Sequence, residues 1–147
     1  MKIQTGKNNP ILRKKSLPVE EVNNNIRKLA KEMIRIMIKN NGIGLSACQV
    51  GKNIRMFVVH PELSKKQVYI NPKIIKISKR TDIMEEGCLS LPGVFIPIKR
   101  AKSLKIKAID EDGKEFTMKA KGLLARVIQH ENDHLNGILI TDKAENN

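Results

Sequence analysis

Residues 129–135 read QHENDHL, with two histidines four positions apart. The apolar residues around them predict a helix from about 122 to 136, which Gly137 is placed to end. On a helix, residues i and i+4 project from one face, about 40° apart. The imidazoles of His130 and His134 can therefore reach one metal ion, and Glu131 is near enough to act on a water bound to that ion.

The two histidines and Glu131 continue apolar rows of this helix. One row contains Leu123, Val127, His130 and His134, and the next contains Leu124, Ile128, Glu131 and Leu135. The three polar side chains should therefore face the core, where an ionised carboxylate is unfavourable without a partner. Burial raises a carboxyl pKa and a nearby divalent cation lowers it, so a metal would keep Glu131 in the range of a general base. The alternative is that each histidine is a core residue bonded to the backbone.

A catalytic metal site commonly has three protein ligands and one water. After His134 the chain offers no His or Cys, and its candidate acids are Asp142 and Glu145, so the third ligand is expected upstream. The upstream candidates are Cys88, Cys48 and His60. Cys88 stands in EGCLSLPG, residues 86–93, where glycine and proline favour backbone that approaches a ligand over an interior strand. Cys48 is better interpreted as a small core residue, and an inert buried thiol remains the alternative for Cys88.

Residues 42–51, GIGLSACQVG, form a third segment of interest. Its small residues permit a bound peptide to approach the backbone closely. Gln49 is its only long polar side chain, and its amide could donate a hydrogen bond to a developing oxyanion. The alternative is a glycine-rich connector between a helix and a strand, with Gln49 in solvent.

The chain of 147 residues, 40% of them hydrophobic, has the size of one domain, and we expect residues 1–147 to form one α+β unit. Apolar spacing predicts an amphipathic N-terminal helix over residues 19–40, with Pro18 suited to its first turn. Strands are predicted at 54–60, 68–70 and 74–77, and a hairpin pairs 104–110 with 116–118 around Asp112-Gly113. The expected fold has mostly antiparallel strands packed around a central helix that carries the two histidines.

The formal net charge of +13 favours polyanionic partners, although a lysine-rich solvated surface is the simpler interpretation. The basic residues do not alternate with aromatic ones, which argues against a groove for single-stranded nucleic acid. Neither a signal peptide nor an apolar stretch of membrane-spanning length is apparent. We therefore expect a cytoplasmic protein whose two cysteines are thiols or ligands rather than a disulfide.

The three segments together resemble the peptide deformylase family, whose motifs G-x-G-L-x-A-x-Q, E-G-C-L-S and H-E-x-x-H occur in this order. They stand here at residues 42–49, 86–90 and 130–134. Each motif alone is weak, but all three in order at this length are highly specific. The resemblance covers nearly the whole chain and implies an enzyme that removes the formyl group from the N-terminal formyl-methionine of nascent polypeptides. It also implies a cytoplasmic location, or an organelle or host with bacterial-type translation.

The resemblance assigns roles to twelve residues. Cys88, His130 and His134 would hold one divalent metal, usually Fe²⁺ in the family, with Zn²⁺, Ni²⁺ or Co²⁺ able to replace it. Metal-bound hydroxide would attack the formyl carbon, with Glu131 as general base and then acid, and Gln49 and the Leu89 N–H would stabilise the oxyanion. The substrate would bind as an added strand, in a site formed by Ile43, Gly44, Glu86, Leu123, Arg126 and Val127.

Three features depart from the family pattern or leave alternatives open. Arg126 replaces a more usual apolar residue, so either its guanidinium turns outward with its stem on the pocket wall, or side-chain preference changes. Ser46 replaces a common Ala, a change expected to leave the site undisturbed. The sequence ends soon after Ile140, like a short form without a long C-terminal helix, so weak electrostatic attraction to ribosomal RNA is the expected contact with the ribosome.

The alternatives to a monomeric deformylase are another small metallo-amidase or peptidase, and a non-catalytic basic ribosome-binding module.

Overall fold

The computed structural model describes residues 1–144 and has an α+β fold with antiparallel strands, which confirms the predicted fold class. Its helices are α1 (Pro10–Arg13), α2 (Asn24–Lys39), α3 (Gly122–Leu135) and α4 (Ile140–Ala144), and a 3₁₀ turn covers Ala47–Val50. Its strands are β1 (Gly44–Ser46), β2 (Met56–Val59), β3 (Val68–Ile77), β4 (Thr81–Cys88), β5 (Leu91–Ala101), β6 (Ser103–Ile109) and β7 (Glu115–Lys121). Within this described part, none of the helices is long and apolar enough to cross a membrane.

Five strands form one antiparallel sheet in the order β1-β2-β3-β6-β7, and β4 and β5 form a separate hairpin. On one face of the sheet, Met33 and Met37 of α2 belong to a core with Leu45 and Val58. On the other face, α3 packs through Ile128 and its neighbours against β2, β6 and β7. Because α3 also contacts β5, it lies where the sheet and the hairpin meet.

The N-terminal helix is shorter than its apolar pattern predicts. It begins at Asn24 rather than at residue 19, because the side chain of Asn23 caps it by accepting a main-chain N–H of the first turn. Val19 instead exchanges two main-chain hydrogen bonds of 2.8 Å with the Asn71 side chain, so Pro18 lies outside the helix. The apolar stripe continues into a loop that packs on the same core.

Strands are present at all the predicted segments, but two of these segments belong to one strand. The predicted hairpin is present as β6 and β7, and its turn contains Gly113 at φ +79°. The two strands predicted on either side of Asn71-Pro72 are one strand, β3. A register shift follows Ile70, and Asn71 adopts φ +49°, so this dipeptide produces a bulge instead of ending the strand.

The β4–β5 hairpin is absent from the sequence prediction, which treats residues 86–93 as a poor strand. Cys88 in fact ends β4, and Leu91 begins β5 directly after the turn. Glycine and proline are tolerated because the hairpin has only two strands, so each strand has one edge without ladder hydrogen bonds. The hairpin brings Cys88 beside α3.

Candidate metal centre and active site

Helix α3 presents His130, Glu131 and His134 toward the interior, as the row pattern predicts. Glu131 and His134 are almost completely buried, and His130 is partly buried. The His130 and His134 rings lie edge to face with centroids 5.0 Å apart. The buried Nδ1 of His134 has no hydrogen-bond partner among the described residues, so His134 is not the backbone-bonded core histidine of the alternative interpretation.

Cys88 completes the group from the β4–β5 hairpin. One ligand atom each from Cys88, His130 and His134 lie within 4.8 Å of one another, and Cys88 Sγ is 3.4 Å from His134 Nε2. Three such donors are the number that catalytic metal sites commonly have, so this group could hold an ion. Burial is the main cause that lowers the pKa of His134 well below its usual value, so this imidazole is neutral.

The other candidate ligands lie elsewhere. Cys48 is fully buried with its thiol toward the His134 carbonyl, and burial raises its pKa to about 12, as suits a core thiol. His60 accepts a hydrogen bond from the Glu62 N–H. Asp142 pairs with Arg13 at 2.5 Å. Glu145 lies outside the described residues.

Glu86 orients His130 from behind. Its Oε1 is 2.9 Å from His130 Nδ1, which leaves Nε2 of the ring for a metal. Arg100 Nε and Nη2 each donate to this carboxylate at 3.0 Å, while Arg100 Nη1 bonds Asp133. Burial opposes ionisation of Glu86, but the hydrogen bonds from His130 and Arg100 outweigh it and lower the Glu86 pKa to about 2. Glu86 is therefore a carboxylate that fixes the ring.

Arg126 does not turn outward, contrary to one of the two expectations. It is 4% exposed, and its Nη1 donates to Glu86 at 2.6 Å and to the Ile98 carbonyl at 2.9 Å. Its Nη2 donates to the Asp82 carboxylate at 2.7 Å. The cation is retained in the interior because two carboxylates partner it. Glu86 thus receives a guanidinium from each side, from Arg100 and Arg126.

Glu131 lies beside β1. Burial raises its pKa, opposed by the charge of His130 and by a hydrogen bond from Ser46, whose Oγ is 2.8 Å from Glu131 Oε1. A Cβ on Gly44 would lie 2.7 Å from Glu131 Oε2 and 2.8 Å from Val127 Cγ1. Only glycine leaves room at position 44 for the glutamate in this position.

Gln49 is buried, contrary to the solvated connector that the sequence left open. Its Oε1 accepts the Ser46 N–H at 2.9 Å, and its Nε2 donates to Ser90 Oγ at 3.1 Å. The same Nε2 lies 3.6 Å from Cys88 Sγ. The amide is therefore oriented with its N–H₂ group beside the three-donor group.

A cavity of about 690 Å³ opens onto the three-donor group. Of the twelve residues singled out in the sequence, eleven line it: Ile43, Gly44, Gln49, Glu86, Cys88, Leu89, Leu123, Arg126, Val127, His130 and Glu131. The twelfth, His134, lies in the three-donor group itself. The cavity wall also contains Met84 and Phe95 of the hairpin, which the sequence did not single out.

Sequence reasoning missed several residues that support the site. Arg100 stands in the basic stretch from Lys99 to Lys107, which resembles a solvated surface, and no local pattern shows that it points inward. Ser46 looks like a neutral replacement of alanine, but it contacts Glu131. Asp82 carries no motif at all. Only the tertiary structure brings these three together with the site.

Comparison with known proteins gives matches that extend along the whole chain. The family model described as Polypeptide deformylase matches residues 1–147. The chain belongs to the polypeptide deformylase family. Peptide deformylase 1 of Clostridium perfringens is 51% identical to it over 134 residues, 90% of each chain. The crystal structure of peptide deformylase from Thermotoga maritima matches it with a TM-score of 0.92 at 40% identity, over 97% of this chain and 95% of that one.

A further solved relative, a peptide deformylase from Synechococcus elongatus in complex with actinonin, has a TM-score of 0.92 at 37% identity. It covers 97% of this chain and 77% of its own. As a polypeptide deformylase, the chain is a hydrolase of protein biosynthesis that removes the N-terminal formyl group from new polypeptides. This confirms the resemblance and argues against a non-catalytic binding module.

Proposed function

We propose that this deformylase works with one divalent ion held by Cys88 Sγ and an imidazole nitrogen each of His130 and His134. The observation that carries the proposal is the convergence of these three donors from two separate elements to within 4.8 Å. A thiolate with two imidazoles suits borderline metals, and the carboxylate behind His130 is the usual support of a metal-binding histidine. By family resemblance Fe²⁺ is the ion in the cell, with Zn²⁺, Ni²⁺ or Co²⁺ able to replace it.

When bound, such an ion supplies an activated water near neutral pH and polarises the carbonyl that is attacked. Residues of the chain transfer the protons and stabilise the oxyanion. Glu131, buried beside the donors, takes a proton from water and returns it to the leaving amine. Gln49 Nε2 and the Leu89 N–H stabilise the negative charge on the formyl oxygen, each donor being worth roughly 3 kcal/mol in the transition state.

The substrate binds beside β1 as an added strand. β1 is the edge strand of its sheet, and Gly44 on it lines the cavity. A peptide can thus pair through its main chain while its methionine side chain enters the cavity. Ile43, Leu123 and Val127 provide apolar contacts there. Glu86 and Arg126 neutralise each other at 2.6 Å, so the wall that they form presents no unpaired charge to methionine.

The enzyme meets its substrate where translation produces it, which is the cytoplasm or an organelle or host with bacterial-type translation. We infer that it acts as a monomer, because every residue invoked belongs to one chain. Its net charge of +13 supports a weak electrostatic attraction to ribosomal RNA. A small metallopeptidase is the competing function, since it would use the same α3 geometry.

The test is formate release. The protein is purified without oxygen, its bound metal is measured, and formate is assayed from formyl-Met-Ala-Ser. We expect about one metal ion per chain in wild type and in Glu131→Gln. The control variant Glu62→Gln, which changes an exposed glutamate outside the site, should bind the same amount. Glu131→Gln should lose activity by roughly 10²- to 10⁴-fold, because a positioned general base contributes that much. Internal cleavage of the peptide without formate, or full activity of Glu131→Gln, would contradict the proposal.

A further inference from the structure

The outward side chains of β3, β6 and β7 are mostly lysines. On β6, Leu104, Ile106 and Ala108 point to the core, so Lys105 and Lys107 point outward. Cross-strand register puts further lysines on the same face. We call this set the lysine face: Lys73 and Lys76 of β3, Lys105 and Lys107 of β6, and Lys119 and Lys121 of β7.

Lysines on this face stand directly opposite one another. Lys73 is the register partner of Lys107, Lys76 is the partner of Lys105, and Lys105 is also the partner of Lys119. Like charges in such pairs destabilise a sheet, and any neutral polar residue would solvate these positions equally well. The fold therefore does not require this pattern of lysines, and their concentration points to a polyanionic partner.

The lysine face is open to a partner. At its start, Ile70 and Ile109 are register partners in the core that α2 covers. Beyond them the same face continues past α2, and five of its six lysines are exposed, with Lys105 half-buried. Glu115 of β7, the register partner of Ile109, lies on the same face and pairs with Lys107 at 2.6 Å.

More basic residues surround the end of these strands. The Lys102 N–H donates to the Arg80 carbonyl at 2.9 Å, which joins the loop after β3 to the corner before β6. The Lys102 carbonyl accepts the Gly122 N–H at 3.0 Å, directly after Lys121. Lys102 and Arg80 thus extend the positive charge from Lys121 around the edge of the lysine face.

The face is suited to phosphates rather than to bases. Strands lie about 4.8 Å apart, and every second residue of a strand advances by roughly 6.8 Å, so the lysines form a two-dimensional array on the sheet. The outward positions of β6 and β7 within the described chain contain no aromatic side chain, and Phe116 and Tyr69 pack inward. Stacking on unpaired bases is therefore not available, whereas contact with the phosphates of a double helix is.

We propose that the lysine face binds the phosphate backbone of double-helical RNA, as the surface of a ribosome presents it. The lysine face would be the place where the electrostatic attraction to ribosomal RNA acts. The proposal rests on the proposed function only in taking ribosomal RNA as the partner. An anionic membrane is the competing partner. Ile77 is exposed at the end of β3, but as the register partner of Leu104 it lies on the opposite face of the sheet. Exposed Ile75 at the bulge is then the large apolar side chain near the lysines, which is too little for insertion into a membrane.

Two fourfold variants of the full chain test the proposal. The face variant replaces Lys73, Lys105, Lys107 and Lys119 with Gln. The control replaces the exposed Lys2, Lys14, Lys15 and Lys52 with Gln, so that both variants have the same net charge. Binding to a 20-base-pair RNA duplex is measured from 50 to 200 mM salt, and binding to vesicles with phosphatidylserine is measured alongside.

We expect the face variant to bind the duplex at least tenfold more weakly than the control, with the slope of log K against log salt reduced by about 3 to 4. Equal losses in both variants would overturn the proposal, since net charge alone would then explain binding. The proposal would also be overturned if the face variant bound vesicles more weakly than the control did but bound the RNA duplex equally well. Formate release should be unchanged in both variants, so failure of the deformylase function and failure of the RNA site give separate results.

Discussion

Replacing Arg126 with Met should destabilise the protein through the carboxylate that Arg126 leaves behind. Met keeps much of the buried stem but removes the hydrogen bonds to Glu86 and Asp82. Removing one partner of a buried ion pair costs about 3–5 kcal/mol. Since Arg100 still donates to Glu86 at 3.0 Å, we expect the lower end of this range, about 3 kcal/mol.

For a chain of this length, the entropy of unfolding is about 0.3 kcal/mol per degree, so a loss of this size lowers the Tm by about 10 °C. Thermal and urea denaturation of metal-loaded protein measure it. Asp82→Asn is the matched control, because the Asp82 side chain is 46% exposed and its pairing should contribute less than about 1 kcal/mol. If Arg126→Met melted within about 2 °C of wild type, the argument that Glu86 depends on two guanidinium groups would be wrong.

Two further variants test the surroundings of Glu131. Gly44→Ala would place a Cβ 2.7 Å from Glu131 Oε2. Because this displaces the base, kcat/KM should fall about 10²-fold or more, and the free energy of unfolding should fall by about 1–3 kcal/mol. Turnover equal to that of wild type would contradict this expectation. Ser46→Ala removes a hydrogen bond that opposes the upward effect of burial on the Glu131 pKa, so the pKa should rise further. Deprotonated Glu131 then appears only at higher pH, and the acid limb of the pH profile of kcat/KM should move upward; an unchanged or lower limb would refute this role of Ser46.

Periodic and motif-bearing parts of the chain were predictable from the sequence. The α3 rows placed His130, Glu131 and His134 on the interior side, because helical spacing alone determines which residues share a face. Cys88 was recognisable through its motif, although the hairpin that carries it was not. A two-stranded ribbon tolerates Gly87 and Pro92, which normally argue against a strand.

The supporting charges were not predictable. Arg100 looks like a surface residue by composition, since burial of arginine is unfavourable without a partner. Arg126 was placed at the pocket by resemblance, but no local pattern shows that it pairs with Glu86 and Asp82. Their partners Glu86 and Asp133 are distant in the sequence and come into reach only through tertiary contacts. The lysine face shows the same limit, because strand register, and not composition, determines which lysines stand opposite each other.

X-ray absorption spectroscopy of the anaerobically prepared, zinc-loaded enzyme examines the metal ligands themselves. One sulfur at about 2.3 Å and two imidazole nitrogens at about 2.0–2.1 Å are the scatterers expected from Cys88, His130 and His134. Cys88→Ser should remove the sulfur signal, while Cys48→Ser should leave it unchanged. A spectrum without sulfur, or a sulfur signal that survives Cys88→Ser, would contradict a site built from this hairpin and α3.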